Sequence, residues 1–161
     1  MNNQTYKYKS TIVAKYILSK AQEEKIVMNM TKLQKLLYIS YGVYLAVKNE
    51  RLTDESPKAW PYGPVFPTTR ENLLKIDFQS FDITKDNECD EIRKDKEMRE
   101  LVELVLKKFG KWNAGQLTEW SHSDESPWDL TKRDENFKWN QHIPDEYIRS
   151  YFSKILTKNE K

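Results

Sequence analysis

The chain has 161 residues, enough for one domain that buries roughly two-thirds of the surface its unfolded form would expose. Hydrophobic residues are 38% and charged residues 32%, and nine Tyr, six Phe and five Trp supply apolar surface that disordered chains lack. Lys and Arg (27) nearly balance Asp and Glu (25), which argues against a function led by nucleic acid, while the single Cys89 excludes an internal disulfide and no apolar run reaches the roughly 18 residues of a membrane span.

The first periodic segment starts after Ser10 or Thr11, either able to cap a helix, and places Ile12, Val13, Tyr16, Ile17 and Ala21 on one face. A second helix is expected from Thr31, where Gln34 completes a capping-box spacing, through Leu33, Leu36, Leu37, Tyr41, Tyr44 and Leu45 to about Asn49. It reads as the central helix. Gly42 inside it costs roughly 1 kcal/mol against alanine, so either a backbone or a bulky ring packs closely there or the glycine is a local blemish.

Residues 51–69 hold four of the six prolines together with Trp60, Tyr62 and Phe66, which predicts an ordered turn segment folded back on the helices, with room for a short strand. A short helix over Thr68 to Lys75 precedes an acidic, weakly periodic stretch, Asp77 to Asp95, expected to be a mobile loop. Periodicity returns at Met98, Leu101, Val102, Val105 and Phe109, with Gly110 as the cap, and Asn113 with Gln116 opens a short helix through Leu117 and Trp120. After a turn enforced by Pro127, the last helix is expected from Pro144, with Tyr147, Ile148, Tyr151, Phe152, Ile155 and Leu156 on one side. The sum is a mainly α fold: a bundle of about five to six helices with a Pro/aromatic-rich turn segment and space for a short two-stranded β element.

Chemistry has few places to reside. The two histidines, His122 and His142, lack metal-ligand spacing, and the four glycines are scattered, which excludes a phosphate loop. Ser121, His122, Asp124 and Glu125 combine catalytic residue types, but neighbours along a chain seldom converge on one atom, and a ring bonded to the turn backbone explains His122 equally. No cofactor is called for. In Ala59-Trp-Pro-Tyr-Gly-Pro64, two prolines stiffen a segment that holds rings at fixed angles; Trp60 and Trp128 suit interface anchors or core packing, whereas Trp112, Trp120 and Trp139 read as core or core edge.

Several segments together carry a family resemblance: Thr31-Lys-Leu-Gln-Lys-Leu-Leu-Tyr38, then Gly42, Leu45-Ala46, Arg51-Leu-x-Asp-Glu55, Ala59-Trp-Pro-Tyr-Gly-Pro-Val65 with Pro67, Leu117-x-x-Trp-Ser-His122 and Ser126-Pro-Trp128. Their order resembles the Panacea domain, the phage-associated, SocA-like antitoxin domain of bacteria and their mobile elements. The likeness runs from about residue 10 to 130 of one expected domain, 1–161, and is weakest in the charged 77–97 stretch and the C-terminal helix, about 144–157.

The resemblance implies an antitoxin that neutralises a cognate toxin protein by direct binding; one branch resembles a proteolytic adaptor, which would add a cytoplasmic AAA+ protease as partner. The expected binding surface takes in Trp60, Tyr62, Pro64, Trp120, His122, Ser126, Pro127 and Trp128. A DNA-binding regulator is the alternative, for which Lys32 and Lys35 are expected to be exposed, although the 22–30 gap is too long for a helix-turn-helix. An enzyme using His122 is the third reading. A non-enzymatic role in the cytoplasm, away from membranes, is the expectation.

Overall fold

A helix lined with leucine and tyrosine on every side is stable only when surrounded. In the computed structural model, which describes residues 5–159, that helix is α2 (Met30–Lys48), buried at nearly every position from Lys32 to Leu45. Asn29 caps it, accepting from the Lys32 N–H at 2.8 Å, and Asn49 ends it in the left-handed region at φ 56°. The expected cap at Thr31 is thus displaced, because an asparagine two residues earlier already meets the orphan donor. Gln34 turns instead to the chain at Phe66: its Oε1 accepts from the Phe66 N–H at 2.7 Å and its amide donates to the Phe66 carbonyl at 3.4 Å.

Four longer helices pack on α2, namely α1 (Ser10–Glu23), α5 (Lys96–Phe109), α6 (Ala114–Ser121) and α8 (Asp145–Asn159), with α8 making the broadest contact. Where α8 crosses, the Phe152 ring lies so close to Gly42 that a Cβ there would stand 2.2 Å from it. The glycine is required by a bulky ring. Trp120 enters the same layer, its centroid 5.4 Å from Phe109, 6.0 Å from Tyr151 and 6.2 Å from Phe152.

The Pro/aromatic segment supplies the β structure. Strand β2 (Arg51–Thr53) pairs in parallel with β1 (Tyr6–Tyr8), Tyr6 opposite Arg51, while β3 (Lys58–Trp60) forms an antiparallel hairpin with β4 (Gly63–Val65), Trp60 opposite Gly63. Between the sheets, Asp54 and Glu55 hold two helix starts. Asp54 accepts from the Ser10 N–H at 2.9 Å at the head of α1, and Glu55 accepts from the N–H groups of Thr68 and Thr69 at the head of α3 (Pro67–Leu73) and from the Ser10 hydroxyl. The expected Ser10 or Thr11 side-chain cap is absent, because this acidic pair, remote in sequence, meets those donors.

A second correction concerns residues 77–95. They are not a loop without structure but two single 3₁₀ turns, Ile83–Lys85 and Asn87–Cys89, followed by α4 (Asp90–Arg93). Ile83, Cys89 and Ile92 are buried, and Asp86 pairs with Lys15 of α1 at 2.6 Å. Short side-chain-capped turns bury single apolar residues with no period for a pattern search to find. The chain then passes through α7 (Pro127–Lys132), and among the described residues no helix is long and apolar enough to cross a membrane.

Candidate functional site

The β3–β4 hairpin carries large rings outside the core on a stiff support. Gly63 adopts φ +112°, which only glycine takes readily, and Pro61 with Pro64 flanks the turn. Tyr62 at the tip is 74% exposed. Trp60 is half-buried, its indole N–H donating to Asn140 Oδ1 at 2.8 Å, while Arg70 of α3 lies over its ring at 5.8 Å. On the other side the segment 140–143 runs beside β3: Ala59 N–H donates to the Gln141 carbonyl and Asn140 N–H to the Ala59 carbonyl, both at 2.8 Å. Asn140 sits at φ 77°, a conformation that asparagine accepts at little cost.

The two tryptophan segments meet here. Trp128, in the first turn of α7, is 6% exposed, and its indole N–H donates to the Trp60 carbonyl at 2.8 Å. Its ring stacks on His122 with centroids 3.9 Å apart and planes 17° from parallel, and Lys132 Nζ lies 5.2 Å from its centroid. Ser126 makes this possible by ending one helix and starting the next: its hydroxyl donates to the Ser121 carbonyl at 2.9 Å and accepts from the Asp129 N–H at 3.2 Å. Pro127 follows as the first helical residue, where it lacks only a donor that would be unpaired anyway.

Of the eight residues that the sequence pointed to, seven thus gather around the hairpin, of which Pro64, Ser126, Pro127 and Trp128 are buried supports and Tyr62 and Trp60 reach the surface. Trp120 does not join them. It faces the opposite way from its helix, into the ring layer beside Phe152. Trp139, read as core edge, is 47% exposed, its ring 6.2 Å from Trp128 and 4.9 Å from Phe137. It stands out because the strand-like segment after it is pinned to β3. Sequence reasoning missed Asn140 and Arg70 as well, whose only local signals are an Asn shortly before Pro144 and one cation beside Glu71 in a short helix.

His122 caps the C-terminal end of α6 and is half-buried; burial, with the Lys35 and Lys132 charges adding, holds its imidazole below the ordinary value and hence neutral at pH 7. The neighbours Asp124 and Glu125 are exposed, and Asp124 pairs with Arg133 at 2.7 Å, so the sequence cluster does not converge on His122. The other histidine accepts or donates at Nδ1 to the Ser56 hydroxyl at 2.8 Å. Two lysines require correction. Lys32 and Lys35, expected at the surface, are 7% and 2% exposed: Lys32 Nζ donates to the Gly110 carbonyl at the end of α5, and Lys35 passes beneath the hairpin to the Pro64 carbonyl at 3.3 Å. Neither is available to a phosphate backbone.

With this geometry in view, residues 33–129 match the family described as antitoxin SocA-like, Panacea domain. The chain belongs to that SocA-like Panacea family. Antitoxin SocA of Caulobacter vibrioides (strain NA1000 / CB15N) is 30% identical over 127 residues, which span 73% of this chain and 67% of that relative. No solved structure matches. The Panacea match begins within α2 and ends in α7, so it contains the hairpin, the Ser126-Pro-Trp128 segment and the bond between them, while Asn140, Trp139 and α8 lie beyond it. Membership supports an antitoxin-like role, and with it a toxin as partner in general.

Proposed function

We propose that this chain is an antitoxin that binds its cognate toxin directly, in the cytoplasm, through the face made by the hairpin tip, Trp60 and Trp139. One observation carries the reading: exposed rings sit on backbone that is already immobilised, so binding costs little ordering entropy, the property expected of interface anchors. The buried residues beneath them, Trp128, Ser126, Pro127 and Pro64, with the half-buried His122, hold that face in place, and Trp120 supports it at one remove through the core. The matched span and α8 work as one unit, since Phe152 fills the space that Gly42 leaves.

The DNA-binding alternative loses its motivation with Lys32 and Lys35 buried. Co-expression of this chain with the product of the adjacent open reading frame tests the proposal. Restored growth and co-purification at unchanged toxin level support direct neutralisation; restored growth with toxin disappearing only in protease-competent cells points to an adaptor; unrelieved toxicity and no complex overturn both.

A further inference from the structure

The central helix carries a cation beneath the hairpin that the structural role just described does not explain. Lys35 has three donors, and its one hydrogen bond is the long 3.3 Å contact to Pro64. The end of its side chain lies directly under the tip, so that a Cβ on Gly63 would fall 2.9 Å from its Cε and 3.2 Å from its Nζ. Lys35 lines a pocket of about 270 Å³ together with Trp60, Tyr62 and Arg70. No Asp or Glu lines that pocket, and among the described residues neither Lys35 nor Arg70 stands within ion-pair distance of a carboxylate. Lys15, less enclosed, by contrast pairs with Asp86 at 2.6 Å, which marks the Lys35 arrangement as incomplete.

We propose that this pocket receives the side-chain carboxylate of an Asp or Glu on the protein partner, seated between Lys35 and Arg70 and flanked by Trp60 and Tyr62. The inference rests on the reading of this face as the toxin-binding surface and names the chemistry that the face selects. Two acceptor oxygens match one ammonium and one guanidinium fork, and Lys35 is already buried and Arg70 half-buried before the partner arrives, so the pair they form is stronger than one at the open surface. Burial holds the Lys35 ammonium down to about 8, and an arriving carboxylate would favour its charged form. The aromatic rim excludes water around the pair and disfavours a neutral amide, which offers one acceptor oxygen where the carboxylate offers two and turns an NH2 donor toward one of the cations.

Two arms test this. In the first, N-acetyl-glutamic acid α-amide is titrated into the free protein while the Trp60 indole and Gly63 amide resonances are followed. Saturable shifts are expected from this probe, none from the matching glutamine amide or from inorganic phosphate, and none in Lys35→Met. Equal responses to the glutamate and glutamine probes, saturation by phosphate alone, or an unchanged response in Lys35→Met overturn the proposal. In the second arm, Lys35→Met and Arg70→Gln are each expected to weaken the toxin complex by about tenfold or more. One Asp→Asn or Glu→Gln change on the toxin should give the same loss and no further loss when combined with Lys35→Met. Arg70 lies at the rim, so Arg70→Gln keeps the test decisive should Lys35→Met fold poorly. A toxin that binds tightly and ignores both substitutions removes this inference and leaves the antitoxin reading intact, whereas absence of any complex with the first arm positive does the reverse.

Discussion

A glycine inside a helix costs about 1 kcal/mol against alanine, and at position 42 the ring of Phe152 occupies the space that a side chain would fill. Gly42→Ala is therefore expected to lower stability by about 1–3 kcal/mol despite its better helix propensity, because an aromatic ring packed in the core yields less readily than a flexible chain end. Urea unfolding checks this, and Phe152→Leu in the same chain should recover part of the loss. Lys35 offers a second test at this scale. Burial lowers its value from 10.5 to about 8, so between those values the unfolded chain binds more protons than the folded one and this residue's contribution to stability rises with pH. Cys89, pushed up from 9.0 to about 11, and the hydroxyls of the partly buried Tyr8 and the buried Tyr38 and Tyr41, also raised, act in the opposite sense as their unfolded forms ionise. Arg70 and His122 are the charged or titratable groups that share its surroundings on α3 and α6. The difference between wild type and Lys35→Met isolates the lysine: any stability the variant gains should be greatest below about pH 8 and shrink towards pH 10. Thermal melts across that range read it, and parallel curves would mean that the ammonium is not desolvated.

At the scale of elements, helix starts show how far local pattern reaches. The Asn113 and Gln116 capping box forms as read, because both partners lie within one turn, and the Asp95 cap of α5 is equally local. At α1 and α3 the donors are met by Asp54 and Glu55, which no local rule places there. The same limit explains Thr31, overtaken by Asn29, and the turns of 83–93, where one apolar residue per turn makes no period. By contrast, the buried faces of α2, α5 and α8 were legible, since a 3.6-residue repeat of large apolar groups has one physical use in a folded chain. Glu55→Ala should cost about 2 kcal/mol, since it leaves the α3 N–H groups and the Ser10 and Thr69 hydroxyls to find other partners, and Asp54→Ala, with one donor affected, about 1 kcal/mol. Chemical denaturation distinguishes them, and equal, negligible effects would show that water replaces these caps freely.

Across the whole molecule, the hairpin is where the two halves of the family pattern join and where residues beyond that pattern add a third support. The sequence marked the rings around Trp60 and Trp128 but not their division of labour, because Trp-Pro segments read alike whether buried or exposed. What separates them is tertiary: Trp128 lies between His122 and Lys132 with its N–H committed to the Trp60 carbonyl, whereas Tyr62 reaches past the tip into solvent. Support and contact should therefore respond differently to substitution. Trp128→Phe, which removes the donor to the Trp60 carbonyl, is expected to lose about 1–2 kcal/mol of stability and to weaken neutralisation only in step with that loss. Tyr62→Ala, at an exposed tip, should stay within about 0.5 kcal/mol of wild type while weakening the toxin complex outright. Melting temperature and growth rescue, measured on both variants at a temperature where each is folded, decide the matter. A Tyr62→Ala protein that rescues growth fully would move the contact surface off the hairpin tip, and a Trp128→Phe protein of undiminished stability would mean that the bond between the two tryptophan segments does not hold the face in place.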